Sequence, residues 1–448
     1  MSNNEYDVLI IGGGPAGYWA SLIASIRGLK VVLAEERRVG GTCLNYGCVP
    51  LVTVMKYLSI TNLIKKLSAN DSGISFSGLR VDISKLFEYV SRSITTPISD
   101  SMKKTLEDLG VKIIYDKAIL LNEHSAKVGN EQINFRKALI ASGLDWYPIE
   151  GAIPCIDFTK VKEGLSKVLV IGANPFGLSV ASLFGLSGCE VLVVEESSRI
   201  LKGYDKEICE YLLMMLSENG INVMSNTKVG TVEYNDRGKE VRLHSLEKES
   251  KVYVDEVIDA ASYAPKLDVL GGVRLALNNS YIQVDEYLRT SIGNIYAAGD
   301  VTGISLYANS AIVQGIIAGE NLAGSNLKIN LRTLPKYVFT YPEAFSVGLT
   351  EDEAREAGYE VIVARQSLTS NPIMKSVGGA GVLKVIVDGK YGGVLGVHAV
   401  GHQITEIINE GILAVALEST CDSIIGTYLA HPTVGEVLRD SLLQVYKP

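Results

Sequence analysis

The strongest constraint on this chain is a pattern that occurs twice: an apolar run, a glycine-bearing turn, a helical stretch, and a second apolar run ending on glutamate. In the first copy residues 7–11 (DVLII) read as a strand buried on both faces, followed by Gly12, Gly13, Gly14 and then Pro15, which suits a helix's first turn. Ala16 to Ile26 reads as a helix stopped by Gly28, and Lys30 to Ala34 as the next strand. The second copy runs KVLVIG, ANPFG, a helix to Leu186 with Gly188 as its stop, and EVLVVE. The sequence between the copies differs, so they predict two Rossmann-like nucleotide-binding domains in an α/β fold, not a repeat array.

Each part of the turn has a chemical reason. In Gly12-x-Gly14-x-x-Gly17 the glycines permit a tight turn and let backbone approach a pyrophosphate at the helix N-terminus, where the dipole favours negative charge. Glu35, at the end of the following strand, can accept hydrogen bonds from ribose hydroxyls. The second turn, Gly172-Ala-Asn174-Pro-Phe-Gly177, has Asn174 where the middle glycine is expected, and that side chain hinders the closest approach to a pyrophosphate. Glu195 closes the second unit, and its carboxylate suits the free ribose of NAD and repels the extra phosphate of NADP. The first turn is a dinucleotide site on its context, and the second is read as an NAD site.

A further apolar strand, NIYAAGD at 294–300, precedes an Ala- and Gly-rich helix ending near Leu322. From Leu334 the alternating stretches GVLKVIVD and GGVLGVHAV predict an antiparallel sheet with helices, an α+β domain. At 448 residues the chain exceeds one core, given about 100–200 residues per domain. The expected division is 1–149, 150–271, 272–330 and 331–448: a first nucleotide domain, a second, a central domain completing the first site, and the α+β domain. The net charge of −8 argues against a nucleic-acid surface, and six cysteines are too sparse for a disulfide-stapled secreted scaffold. MSNNEYDVLI lacks the features of a signal peptide, and no apolar run is expected to reach the roughly 18–20 residues of a membrane span. The expectation is a soluble cytoplasmic enzyme.

Eight residues past Glu35 comes Cys43, and Cys48 follows with four residues between them. The spacing allows a bridge across one helical turn, and Pro50 sits where it does not disrupt the start of a continuing helix. Zinc would need two more nearby Cys or His ligands, which are missing. The alternatives are two buried unreactive thiols or a redox pair, and the position directly after a dinucleotide fingerprint favours the redox pair.

The run VGGTCLNYGCVP resembles the active-disulfide motif of the pyridine nucleotide–disulfide oxidoreductases of the lipoamide dehydrogenase and glutathione reductase type. The likeness spans essentially the whole chain: Ala141-Ser142-Gly143 is similar to the family's second FAD turn and Ala298-Gly-Asp300 to its ribityl-binding motif. TYPEAFSVGLTEDEAREAGY resembles the entry to a dimerisation domain, and His431-Pro-Thr-Val-Gly-Glu436 the family's His–Glu dyad, whose imidazole comes from the partner subunit. The resemblance implies a homodimer with FAD held by Gly12, Gly14, Pro15, Ala16, Gly17, Glu35, Glu36, Gly41, Thr42, Ala118, Ala141, Ser142, Gly143, Asp300, Tyr307 and Ala308. NAD would meet Gly172, Gly177 and Glu195. Catalysis would fall to Cys43, which exchanges with substrate, Cys48 against the flavin, His431 as base and Glu436 as its orienter. The implied substrate is a dihydrolipoyl group on a separate protein or a small dithiol, and no metal is implied.

The departures from the family pattern cluster around the flavin–nicotinamide half. The family continues its second cysteine with Pro-Ser-Lys, whereas here Pro50-Leu51-Val52 follows; the glutamate that pairs with that lysine is replaced by Ser179. Losing both members avoids stranding a buried charge. The Gly-Arg-Arg-Pro segment is also altered, to Ser262-Tyr-Ala-Pro265, and Lys56, one helical turn past Val52, is a candidate substitute. Two alternatives to the NAD-linked reading stand: the same chemistry with another thiol substrate or electron acceptor, and a low-turnover FAD-containing subunit that binds lipoyl proteins. A scaffold would not need Cys43, Cys48, His431 and Glu436. Glutathione-type reductases are opposed by Glu195, and the tail DSLLQVYKP lacks the cysteine pair that mercuric-ion reductases use.

Overall fold

A computed structural model describes residues 5–69, 72–161, 164–246 and 248–446. The chain divides into two units, the first made of Met1–Val54, Ser84–Tyr147 and Ser262–Ile329. At the centre of its sheet is Glu5–Ile11, an apolar run that is parallel to Val31–Ala34 on one side and to Glu131–Ile140 on the other. Lys112–Ile114 extends the sheet at one edge; Ser125–Val128 and Ala118–Asn122 extend it as antiparallel strands at the other. The ten-residue strand Glu131–Ile140 is long enough to take a further partner at its end, the short strand Ile295–Ala297. Successive side chains leave opposite faces of a strand, so both faces must be covered. Leu9 and Ile11 join Ile133 and Phe135 in one core, whereas Val8 and Ile10 meet Leu33, Leu139 and the helices Pro15–Ile26 and Ala308–Leu322 in another. These last two helices touch through Gly315, where a methyl group would lie 2.3 Å from the Ala16 carbonyl.

The second unit comprises Met55–Ile83, Pro148–Ala261 and Asn330–Pro448. Its parallel sheet runs Ile221–Met224, Glu190–Val194, Lys167–Ile171, Glu256–Asp259 and Ile153–Pro154, with the helix Pro175–Leu186 following the central strand. An antiparallel three-stranded sheet, Thr227–Asn235, Gly238–Ser245 and Glu249–Val254, is inserted before Glu256–Asp259. The C-terminal part is a five-stranded antiparallel sheet in the order Lys336–Val338, Glu343–Gly348, Val394–Gly401, Gly381–Asp388, Val361–Ser367. Phe345, Leu383, Val385 and Val397 from this sheet pack with Ile407 and Leu438 from the helices Thr405–Ala416 and Glu436–Leu443. Within this unit Lys384 is 4% exposed and forms ion pairs with Asp205, Glu207 and Glu351 at 3.0, 3.1 and 3.0 Å.

One expectation needs correcting. The helical stretch Gly41–Ala69 is long and apolar enough, by length and composition, to cross a membrane. Thr53, Lys56 and Ser59 interrupt the apolar residues of this stretch in sequence. Leu51, Val54, Met55 and Leu58 are buried in the protein, the behaviour of a helix that packs on its own chain.

Candidate active site

The first glycine turn lies at the carboxyl end of Glu5–Ile11, the edge where open α/β sheets take ligands. Gly12 has φ +98°, and a methyl there would sit 2.4 Å from the Ala141 carbonyl; at Gly17 it would sit 1.8 Å from the Gly12 carbonyl. Gly14 differs, since the nearest atom to a methyl there would be Gly41 Cα at 4.0 Å. No side chain caps the helix that starts after it. Glu35 is buried, accepting from the Gly13 N–H at 2.6 Å and the Arg37 N–H at 2.8 Å.

Neighbouring strand ends bring the other expected cofactor residues to this edge. The Ala141 N–H donates to the Ile11 carbonyl, and Ser142 Oγ donates to the Lys266 carbonyl at 2.7 Å. Gly143 has φ +75° and its carbonyl accepts from the Lys266 N–H, while Lys266 Nζ pairs with Glu36 at 2.8 Å. Ala118 is buried at the start of its strand, just after Lys117, whose ammonium pairs with Asp268 and lies within the field of Glu36. Asp300 follows the strand Ile295–Ala297; burial alone pushes its carboxyl up to about 6, with no donor among the described residues relieving it. Tyr307 precedes the helix that opens at Ala308, again without a side-chain cap. An uncapped helix start beside open space, a glutamate at a strand end and a carboxylate lacking a donor fit the pyrophosphate, ribose and hydroxylated chain of FAD.

The cysteine segment is locked to the same turn. The Gly40 N–H donates to the Gly13 carbonyl at 2.8 Å, and a methyl on Gly41 would lie 2.5 Å from Gly14 Cα. Thr42 and Cys43 lie on the short helix Gly41–Asn45, whereas Cys48 opens the helix Cys48–Ala69 with Pro50 in its first turn. The pair was expected across one turn of a continuous helix; the chain instead breaks at Tyr46 and Gly47. The Cys43 and Cys48 side chains are hydrogen-bonded to each other. That bond, together with burial, raises the Cys43 thiol above the ordinary thiol value. The same bond lowers Cys48 despite burial, aided by a backbone N–H at the start of its helix. Asp300 raises both, so its carboxyl lies within electrostatic reach of the sulfurs.

In the second unit His431 Nδ1 lies 3.1 Å from both carboxylate oxygens of Glu436. Facing a carboxylate, Nδ1 carries the proton and Nε2 keeps the lone pair. The imidazole is 75% exposed and the carboxylate 7%. Glu436 stays below the ordinary carboxylate range because the Thr433 N–H donates to it at 3.1 Å, with His431 and Arg439 adding to the effect. Arg439 was not foreseen, although its position one turn along the helix from Glu436 is the signal that could have found it.

The second turn keeps its outer glycines: Gly172 has φ +96°, and a methyl at Gly177 would lie 2.2 Å from the Gly172 carbonyl. Glu195 accepts from the Ala173 N–H at 2.8 Å, as Glu35 does from Gly13. Asn174 was expected to act by bulk; it acts as the helix cap, its Oδ1 accepting from the N–H groups of Phe176 and Gly177. Ser179 is buried and its hydroxyl donates to the Pro175 carbonyl at 2.6 Å. Ser262 takes the Tyr147 N–H on its carbonyl. Lys56 is exposed and its charge acts on Glu343, whose carboxyl burial raises to about 7. No grouping of three metal-ligating side chains occurs among the described residues.

The family described as pyridine nucleotide-disulphide oxidoreductase matches residues 6–315, and its dimerisation domain matches residues 334–442. The dihydrolipoyl dehydrogenase of Thermus scotoductus is 31% identical, the match covering 99% of this chain and 98% of that protein. The mercuric reductase of Bacillus cereus is 30% identical over 98% of this chain and 72% of its own length. Among solved structures, the HOCl-induced flavoprotein disulfide reductase RclA from Escherichia coli aligns with a TM-score of 0.85 at 25% identity, covering 98% of this chain and 100% of that one. The chain belongs to the pyridine nucleotide-disulphide oxidoreductase family, as a lipoamide dehydrogenase-like flavoprotein enzyme that uses FAD and a pyridine dinucleotide and carries the domain through which the family forms homodimers.

Proposed function

We propose that the enzyme oxidises a dihydrolipoyl group on a separate protein, or a small dithiol of the same chemistry, through a Cys43–Cys48 disulfide with NAD as the final acceptor. The observation that carries this reading is the pair of thiols Cys43 and Cys48, within hydrogen-bonding reach of each other on a segment fastened to the dinucleotide turn through the Gly40 N–H and the Gly13 carbonyl. His431 of the partner subunit would take the proton of a substrate thiol on Nε2, with Glu436 fixing the orientation of the ring through Nδ1. The substrate thiolate would attack Cys43 in the oxidised pair, forming a mixed disulfide and releasing Cys48 as the thiolate. The second substrate thiolate would then attack the substrate sulfur, closing the cyclic disulfide and releasing Cys43; two electrons pass to the pair and two protons to His431 and water.

Gly12, Gly14, Pro15, Ala16 and Gly17 would cradle the FAD pyrophosphate, Glu35 a ribose and Asp300 the ribityl chain, with Glu36, Gly41, Thr42, Ala118, Ala141, Ser142, Gly143, Tyr307 and Ala308 lining the rest. Bound FAD supplies the transfer of electrons between the thiol pair and the nicotinamide. Glu195 would bind the NAD ribose and disfavour NADP. On this reading the chain divides functionally into four parts, with boundaries at 149/150, 271/272 and 330/331. The four remaining cysteines, Cys155, Cys189, Cys209 and Cys421, are buried free thiols, which accords with a reducing, cytoplasmic setting.

A second reading, a different electron acceptor behind the same disulfide, draws on Asn174 at the nucleotide turn. Stopped-flow mixing of the oxidised enzyme with dihydrolipoamide, glutathione or NADH separates the readings. Rapid flavin reduction by dihydrolipoamide, followed by reoxidation with NAD, is expected. Flavin that ignores the dithiol while responding to NADH would remove the proposed substrate.

A further inference from the structure

The two nucleotide turns share one backbone conformation and differ in what fills them. Gly14 and Asn174 each precede a proline-initiated helix, at φ −67°, ψ −173° and φ −77°, ψ 169°. In both turns the outer glycines are demanded by the protein itself: Gly12 and Gly172 take positive φ, and methyl groups at Gly12, Gly17 and Gly177 would strike backbone. The middle position is not demanded in this way. A methyl at Gly14 would meet nothing nearer than 4.0 Å, so that glycine keeps space open for a ligand. In the second turn the side chain at this position is a carboxamide engaged at both ends. Its oxygen accepts from Phe176 N–H at 3.1 Å and Gly177 N–H at 2.9 Å, and its nitrogen donates to the Ala260 carbonyl at 2.6 Å. Phe176 and Gly177 supply the helix-start N–H groups that an anionic ligand would otherwise use.

We infer that Asn174 is an internal stand-in for the pyrophosphate of the pyridine dinucleotide, so that this turn does not fit the ligand's phosphates until the carboxamide is displaced. The ribose end is prepared: Glu195 is held by the Ala173 and Ser197 N–H groups much as Glu35 is held by Gly13 and Arg37. Binding must break three hydrogen bonds and turn the side chain out before the phosphates reach the helix. The result is attenuated affinity for oxidised and reduced dinucleotide alike, with the loss located at the phosphates. The inference rests on the proposed reading only in taking a pyridine dinucleotide as the ligand.

Asn174→Gly tests this directly, because glycine is itself an acceptable cap and restores the arrangement of the first turn. The probes are ADP-ribose, which carries the pyrophosphate without nicotinamide, measured by calorimetry, and adenosine, which carries no phosphate, measured by saturation-transfer NMR. In the flavin-loaded enzyme, Asn174→Gly is expected to bind ADP-ribose about tenfold tighter or more, with Asn174→Ala gaining less and the adenosine signal unchanged. Equal ADP-ribose affinity in the native protein and Asn174→Gly would overturn the inference, as would an equal gain for adenosine. If Asn174→Gly does not fold, the alanine variant decides, since a gain of less than about twofold there is also contrary. Flavin reduction by dihydrolipoamide in the native enzyme reports on the proposed function separately, so failure of either is distinguishable from failure of the other.

Discussion

Asp300→Asn should move the stability of the protein and its hold on flavin in opposite directions. Burial raises the folded carboxyl from its ordinary 3.8 to about 6. Between those pH values the folded protein retains a proton that the unfolded chain has released, so its stability falls as pH rises through the interval. By neutral pH the accumulated loss is about 3 kcal/mol, at about 1.4 kcal/mol for each pH unit. Asparagine carries no charge to bury. The flavin-stripped variant should therefore be more stable than the flavin-stripped parent at pH 7 by up to about 3 kcal/mol, with the advantage gone near pH 4. With flavin bound the balance reverses, because a hydroxyl donating to a carboxylate contributes about 1.5–3 kcal/mol and an amide oxygen accepts less well. Retention of FAD should weaken by about 10- to 100-fold. Urea unfolding of both flavin-stripped proteins at pH 4 and 7, with fluorescence of released FAD, measures both effects. An equal stability difference at the two pH values would show that the Asp300 carboxylate is not desolvated in the folded protein.

Cys43→Ala removes the hydrogen bond that stabilises the Cys48 thiolate, so the thiolate ultraviolet absorbance of the reduced protein should appear at higher pH than in the parent. An unchanged titration would dissociate the two sulfurs. His431→Gln should slow flavin reduction by dihydrolipoamide by about 10²- to 10⁴-fold, with Glu436→Gln slower by a smaller factor, both read by stopped flow. Parent-like rates in both would exclude the dyad from proton transfer. Lys384→Met strands the buried carboxylate of Asp205, which is 3% exposed, and should destabilise the protein by about 3–5 kcal/mol in denaturant unfolding. A loss below 1 kcal/mol, the scale of a surface pair, would show that the cluster is hydrated.

The parts of the fold legible in sequence were those set by local chemistry. Glu5–Ile11 and Lys167–Ile171 are short apolar strands, and the helices after them end where Gly28 and Gly188 take positive φ. Cys43, Cys48, His431 and Glu436 carry their spacing in the chain, and their pairing partners are local. The inserted strands Thr227–Asn235, Gly238–Ser245 and Glu249–Val254 were not anticipated, because their exposed, charge-rich faces dilute the apolar signal. The break at Tyr46–Gly47 was missed because the flanking residues suit either one helix or two. Lys384 meets Asp205, Glu207 and Glu351 from distant segments, and nothing along the sequence marks such a cluster. Asn174 was read for its size, whereas its hydrogen-bonding capacity before Pro175 decides what it does.

Anaerobic titration of the FAD-loaded enzyme with dihydrolipoamide, followed by absorption, tests the disulfide route most directly. The expected course is a long-wavelength band from the Cys48 thiolate against oxidised flavin at about one dithiol equivalent, with bleaching of the flavin only as about a second is added. Flavin that bleaches from the first addition with no such band, or a band that persists in Cys48→Ser, would show that electrons do not enter through this pair of sulfurs.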